Sequence, residues 1–294
     1  MTNKIYIIYA ILAAAFYALS TPISKILLNN KLSPTMIAGL LYLGAGIGML
    51  FVGIIKSKFI KTIQEPFKKN QLLYIVMMIV LDILAPISLM LGLKMSTPEN
   101  VALLNNFEIV ATSLIALFIF KERISKRLWF GITLITISTI ILSVGDVSAF
   151  KFSIGSAFVI LACVFWGIEN NCTRKLSNND PLKVVVIKGI FSGLGSLLVA
   201  IILDELTFNI TLILYTLLLG FVAYGLSVFL YVSAQRGLGA SKTSAYYAVA
   251  PFISVVLSFI LFLEFPSYSY YIALFIMILG AYFVSTQSKK KKYI

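Results

Sequence analysis

Three acids stand out because of where they fall. Asp82, Glu108 and Glu169 each lie inside a long apolar stretch rather than between stretches. An ionisable side chain at membrane depth is costly, so it faces a cavity or a partner and marks a path for ions or polar solutes. A carboxylate in such a place can bind a substrate amine or carry a coupling proton. It can also be half of a static ion pair, with Lys25, Lys188 or Arg174 as its partner. Amides flank two of the acids. Asn105 and Asn106 precede Glu108, and Asn170 and Asn171 follow Glu169. An amide both donates and accepts, which suits a zwitterion. Adjacent helical positions point about 100° apart, so only some of the four can share one face. Phe16, Tyr17, Phe165, Trp166, Tyr224, Tyr231, Tyr246 and Tyr247 occupy neighbouring apolar stretches. Their rings can cage an organic cation, or simply pack on neighbours and lipid.

Other chemistries are excluded by residue type. The chain has no histidine, which removes His-ligated metals, Ser-His-Asp and Cys-His nucleophiles, and imidazole relays. Cys163 and Cys172 fall in one apolar stretch, roughly 13 Å apart along a helix, too far for a disulfide. They read as small core residues. No metal site, redox centre, cofactor or enzymatic activity is expected. Gly44-x-x-x-Gly48 and Gly189-x-x-x-Gly193 read as helix-packing surfaces. Neither resembles a phosphate loop.

The elements that must hold these residues follow from composition. Of 294 residues, 60% are hydrophobic and 12% charged, and the mean hydropathy is +0.99. A soluble domain of this length cannot cover so much apolar surface. A spanning helix needs about 20 mostly apolar residues. Ten such segments are expected, at 5–28, 34–55, 72–94, 99–120, 129–145, 153–175, 181–203, 210–235, 240–263 and 267–287. The fold expected is therefore all-α and integral to the membrane, with a lipid bilayer around it and no extramembrane domain. Pro22, Pro86 and Pro251 fall inside spans, where each removes a backbone donor and favours a kink. The net charge of +13 does not signal nucleic acid, because the cations sit in short loops. With the N-terminus inside, Lys31, Lys94 and Lys151 fall outside and Lys25 and Lys188 within spans. The other Lys and Arg fall inside, including the tail Lys289 to Lys292. Both termini are thus expected in the cytoplasm.

The halves echo each other. Offset by 149, Ile11-Leu12-Ala13 falls on Ile160-Leu161-Ala162, Phe16 on Phe165, Tyr17 on Trp166 and Lys25 on Arg174. Gly44 and Gly46 fall on Gly193 and Gly195. Offset by 142, Lys94 falls on Arg236, Glu122 on Glu264, Ser125 on Ser267 and Ser143 on Ser285. Two repeats of five spans, 1–147 and 148–294, are expected. An odd number of spans inverts the second relative to the first. Inverted repeats are a mark of secondary transporters.

The whole chain resembles the EamA-like branch of the drug/metabolite transporter superfamily. The resemblance rests on the ten spans in two halves and on three local patterns. These are Ala18-Leu19-Ser20-Thr21-Pro22-Ile23-Ser24-Lys25, then Phe120-Lys121-Glu122-Arg123 before Trp129-Phe130-Gly131, and Ala250-Pro251 followed by Phe262-Leu263-Glu264. It implies that spans 1, 3, 4, 6, 8 and 9 surround a central cavity, with 5 and 10 peripheral. It also implies movement of metabolites, usually outward. One departure is Phe107-Glu108-Ile109, where the family more often has an apolar residue or proline.

The expected activity is alternating-access transport of amino acids or other amine-bearing metabolites across the cytoplasmic membrane, with protons as a candidate coupling partner. Organic-cation efflux is the competing expectation, and a structural or lipid-handling membrane protein is the alternative of another class. A homodimer is a further expected assembly.

Overall fold

The computed structural model describes residues 3–59, 67, 69–119, 125–146, 151–176, 179–238, 246–263 and 267–285. The first passage is α1 (Asn3–Ala18) and α2 (Ser20–Asn29), interrupted at Leu19 three residues before Pro22. Next come α3 (Pro34–Phe59) and, after a 3-10 turn, α4 (Leu72–Lys94). The fourth passage is split into α5 (Pro98–Leu104) and α6 (Phe107–Phe118) at Asn105 and Asn106. Then follow α7 (Lys126–Ser143), α8 (Ile154–Leu176) and α9 (Pro181–Ile202). The eighth passage runs through α10 (Ile210–Leu219), a π-helical turn (Gly220–Leu226) and α11 (Ser227–Leu238). The last helices are α12 (Ala250–Phe262) and α13 (Tyr268–Ser285).

Local sequence accounts for several boundaries. Thr97 caps α5 by accepting from the Asn100 N–H, and Asp180 caps α9 by accepting from the Leu182 N–H, each with proline at the first helical position. Such pairs satisfy a donor the helix start leaves free, at a residue whose φ is already helical. Lys31, Asp204 and Leu263 take left-handed φ values of 66°, 53° and 53° just past the ends of α2, α9 and α12.

Seven passages among the described residues are long and apolar enough to cross a membrane: Lys4–Asn29, Pro34–Ile55, Lys69–Lys94, Pro98–Phe118, Ile154–Thr173, Pro181–Ile202 and Ile210–Ala234. The sequence reading expects ten. At the other three positions stand α7, α12 and α13. α7 opens on Lys126-Arg127, which lowers its mean apolarity. The expected span 240–263 is helical from Ala250 to Phe262 after a turn at Ala248-Val249. Its residues 240–245 lie outside the described residues, as do Lys121, Glu122, Arg123, Glu264 and the 289–292 tail. The fifth expected span also ends earlier than Gly145. There the backbone leaves the helix for a short antiparallel pair, β1 (Val144–Asp146) with β2 (Lys151–Phe152), so the described residues are helical apart from this minute sheet.

Helix pairs that join the first half of the chain to the second include α3 with α9, α4 with α8, α1 with α11, α7 with α13, α6 with α8 and α5 with α12. The α3–α9 contact depends on glycine. A Cβ on Gly189 would strike the Gly46 backbone nitrogen and meet Tyr42 O at 2.7 Å. Close backbone approach of this kind is how helices gain van der Waals contact when lipid is as apolar as the side chains. Large apolar residues such as Phe51, Leu198, Ile202, Leu214 and Phe275 face outward, while Asp82, Glu169, Asn106 and Ser192 are buried. This is the distribution expected where the surroundings are hydrocarbon rather than water.

Candidate functional site

The three acids come from three helices and converge on the interior. Asp82 is on α4, Glu169 on α8 and Glu108 in the first turn of α6. Asp82 and Glu169 are 0% and 1% exposed. Lys188, on α9, lies between them. Its Nζ is 3.1 Å from Asp82 Oδ2 and 3.0 Å from Glu169 Oε1. One ammonium thus faces two carboxylates at the junction of α4, α8 and α9. The attraction offsets the desolvation of the charges only because neighbours complete the shell. Tyr42 Oη donates to Asp82 Oδ1 at 2.8 Å, and Trp166 Nε1 donates to Tyr42 Oη at 3.4 Å. Thr173, one turn beyond Glu169, donates to Glu169 Oε1. Pro86 removes the N–H that would meet the Asp82 carbonyl one turn earlier in α4.

Glu108 is held differently. Asn170 Nδ2 donates to Glu108 Oε1 at 2.6 Å and reaches Thr112 Oγ1 at 3.4 Å. Among the described residues no Lys or Arg forms an ion pair with Glu108. Its place at the helix break follows from Asn105 and Asn106, whose side chains compete with the helical ladder for backbone partners. Asn106 Nδ2 donates to Leu103 O at 3.3 Å, and Asn106 Oδ1 is buried without a partner. The weak Cys163 S–H donor points to Asn105 O at 3.8 Å.

The other candidates separate by position. Asn171 bridges two helices. Its amide donates to Gly167 O at 2.8 Å and to Thr112 O at 3.2 Å, tying α8 to α6. The adjacent amide, Asn170, faces Glu108, as the angular step between neighbours requires. Lys25 Nζ donates to the carbonyls of Leu93 and Ser96 at 2.7 Å each, where a cation meets the negative end of α4. The Arg174 side chain lies outside the described residues. Tyr17, Tyr224 and Tyr247 form a chain of ring contacts, with centroids 5.8 Å apart for Tyr17–Tyr224 and 5.9 Å for Tyr17–Tyr247. Tyr42 extends it through Tyr224 at 5.3 Å, and Tyr231 through Tyr247 at 4.8 Å. Ser20 Oγ donates to Tyr224 Oη at 3.3 Å. Tyr246 is exposed, so it stands outside this group.

A cavity of about 10 Å³ sits where α1 and α2 meet the end of α5 and the start of α12. Its walls include Tyr17, Thr21, Asn105, Ala250, Pro251 and Ser254. Pro22 lies beside it in sequence, in the first turn of α2.

Sequence reasoning missed Tyr42, Thr112, Thr173, Ser20 and Ser254. Thr112 and Thr173 were within reach, because each stands one helical turn after an acid. Tyr42 carried no local signal, since its partner is 40 residues away.

The sequence model of the EamA-like transporter family matches this chain in two stretches, residues 4–144 and 153–286. A protein described as an uncharacterized transporter, from Methanothermobacter thermautotrophicus, is 27% identical over 271 residues, covering 86% of this chain and 78% of that one. The uncharacterized transporter YyaM of Bacillus subtilis is 23% identical over 226 residues, covering 74% and 73%. A crystal structure 16% identical in sequence superposes with a TM-score of 0.67 over 96% of this chain and 95% of its own, which shows a shared fold.

Proposed function

This chain belongs to the EamA-like transporter family, and we propose that it moves small amine-bearing metabolites, amino acids foremost, outward across the cytoplasmic membrane by alternating access. The observation that carries this reading is the Glu108 carboxylate. It is held at the break between α5 and α6 by an amide, and no Lys or Arg among the described residues pairs with it. Asp82 and Glu169 already share Lys188. Glu108 is therefore the acid free to exchange an ammonium group or a proton. The energy source is a proton or substrate gradient.

Two features support alternating access by two inverted repeats, with both termini in the cytoplasm. The family model matches twice. The helix pairs also respect the interchange of halves. α3 with α9 and α7 with α13 each map onto themselves, α4 with α8 maps onto α11 with α1, and α6 with α8 maps onto α12 with α1. The distribution of Lys and Arg supports the orientation.

Efflux of organic cations is the competing reading, favoured by the linked tyrosines around Tyr17 and Tyr224. The test is counterflow in proteoliposomes with labelled amino acids, polyamines and quaternary amines, using wild type and Glu108→Gln. Amino-acid flux lost in Glu108→Gln supports the first reading. Flux of quaternary amines alone supports the second. Normal amino-acid flux in Glu108→Gln overturns the role given to Glu108.

A further inference from the structure

The two offsets that align the halves pair the surroundings of Glu108 with a second place in the fold. Glu108 pairs with Ala250, Thr112 with Ser254, and Asn170 with Thr21. At the first place the three side chains meet: Asn170 Nδ2 lies 2.6 Å from Glu108 Oε1 and 3.4 Å from Thr112 Oγ1. At the second, Ala250, Ser254 and Thr21 line one cavity of about 10 Å³, with Tyr17, Asn105 and Pro251. Where one half of the molecule holds a protein carboxylate, the other has an alanine methyl with space beside it.

Two further observations concern what this space accepts. Ser254 is 3% exposed and its hydroxyl has no hydrogen-bond partner. A buried hydroxyl without a partner is costly, so it calls for a group that completes it. In addition, α12 begins at Ala250 with no side-chain cap from Val249. Pro251 has no N–H, and the Phe252 and Ile253 N–H groups donate to Val249 O. This helix start therefore contributes to the cavity wall through the field of its dipole, which favours an anion, rather than through a row of free donors. No acid is part of that wall.

We infer that this cavity is the subsite for the carboxylate of the substrate, which takes the position that Glu108 fills in the other half. The inference rests on the transport reading above and narrows its substrate class to compounds carrying both an amine and a carboxylate. The ammonium sits at Glu108. The carboxylate accepts from Ser254, Thr21 and the Asn105 amide. Asn105 belongs to both places, because it lines the cavity and its carbonyl accepts the Glu108 N–H at 3.1 Å. A cavity of this size matches about one water, so a carboxylate enters as α12 and α2 move apart.

The test is ligand-induced thermal stabilisation of the purified full chain in detergent. L-amino acids are compared with the amines obtained by removing their carboxylate. Wild type is expected to favour an amino acid over its matched amine by tenfold or more. Ser254→Ala lowers that ratio about tenfold, and Ser254→Thr, which keeps the hydroxyl, restores it. The melting temperature of unliganded Ser254→Ala stays equal or rises, because no partner is lost. Equal binding of acid and amine by wild type, or an unchanged ratio in Ser254→Ala, overturns the subsite and leaves amine transport standing. A lowered melting temperature in Ser254→Ala assigns the hydroxyl to packing and likewise overturns it. Binding of neither ligand type by wild type overturns both readings.

Discussion

Asn170 Nδ2 stands 2.6 Å from Glu108 Oε1, joining α8 to α6 across 62 residues of chain. The contact orients the acid, which forms no ion pair with a Lys or Arg among the described residues. This separates Glu108 from Asp82 and Glu169, whose oxygens lie 3.1 and 3.0 Å from the Lys188 ammonium. The two arrangements have different consequences when a partner is removed.

Glu108→Gln keeps the shape and an acceptor for Asn170 but removes the charge. A hydrogen bond to a charged group contributes about 1.5–3 kcal/mol. An amine-bearing substrate is therefore expected to bind roughly 10- to 100-fold more weakly, read as the rise in KM in counterflow. Stability of the unliganded protein changes little.

Lys188→Met has the opposite profile. It leaves Asp82 and Glu169 buried without their shared cation, and breaking a buried pair from one side costs about 3–5 kcal/mol. A large fall in melting temperature in detergent is expected. Adding Asp82→Asn to Lys188→Met recovers part of the loss. Additive losses in that double-mutant cycle would refute the coupling.

Tyr42→Phe removes one donor to Asp82 and leaves Lys188 in place. The expected destabilisation is about 1 kcal/mol, well below that of Lys188→Met. The same melting experiment ranks the two, and the reverse order would assign the electrostatic shell of Asp82 to Tyr42.

Gly189→Ala probes the α3–α9 contact. A Cβ there strikes the Gly46 backbone and cannot be absorbed by a flexible side chain. Overpacking of this kind costs about 1–3 kcal/mol. Leu198→Ala, on the exposed face of the same helix, is the control expected to have a smaller effect on melting.

Orientation has its own test. The two native cysteines are buried, so single cysteines introduced at Lys151 and at Gln287 can be labelled selectively. A membrane-impermeant maleimide is expected to label Lys151→Cys in intact cells. Gln287→Cys is expected to label only after permeabilisation.

Much of the fold was legible in the sequence because the membrane imposes it. Apolar length and the burial of backbone donors by helices leave few alternatives in hydrocarbon. Seven expected spans coincide with passages long and apolar enough to cross. The sequence reading expects the fourth span unbroken over 99–120, whereas the structure splits it at Asn105-Asn106. The start of α9 at Pro181 was legible. The junction after Ser143 was not, because the pairing of Val144 with Phe152 depends on a partner strand that apolar length does not announce.

By itself the sequence determined that this protein lies in a membrane as a bundle of apolar helices, that its family is EamA-like, and that Asp82, Glu108 and Glu169 are the residues to explain. The first and last follow from composition and local residue type, and the family follows from the chain's likeness to its sequence model. Only the tertiary structure decided which acid shares a cation and which does not. That depends on Lys188 reaching both Asp82 and Glu169 from a third helix, and on Asn170 rather than Asn171 turning toward Glu108. It also brought Thr21, Asn105 and Ser254 to one cavity. Such contacts form between helices far apart in the chain. Their geometry is set by where close-packed backbones such as those at Gly46 and Gly189 let the helices meet, and the local glycine spacing marks a packing surface without specifying its partner.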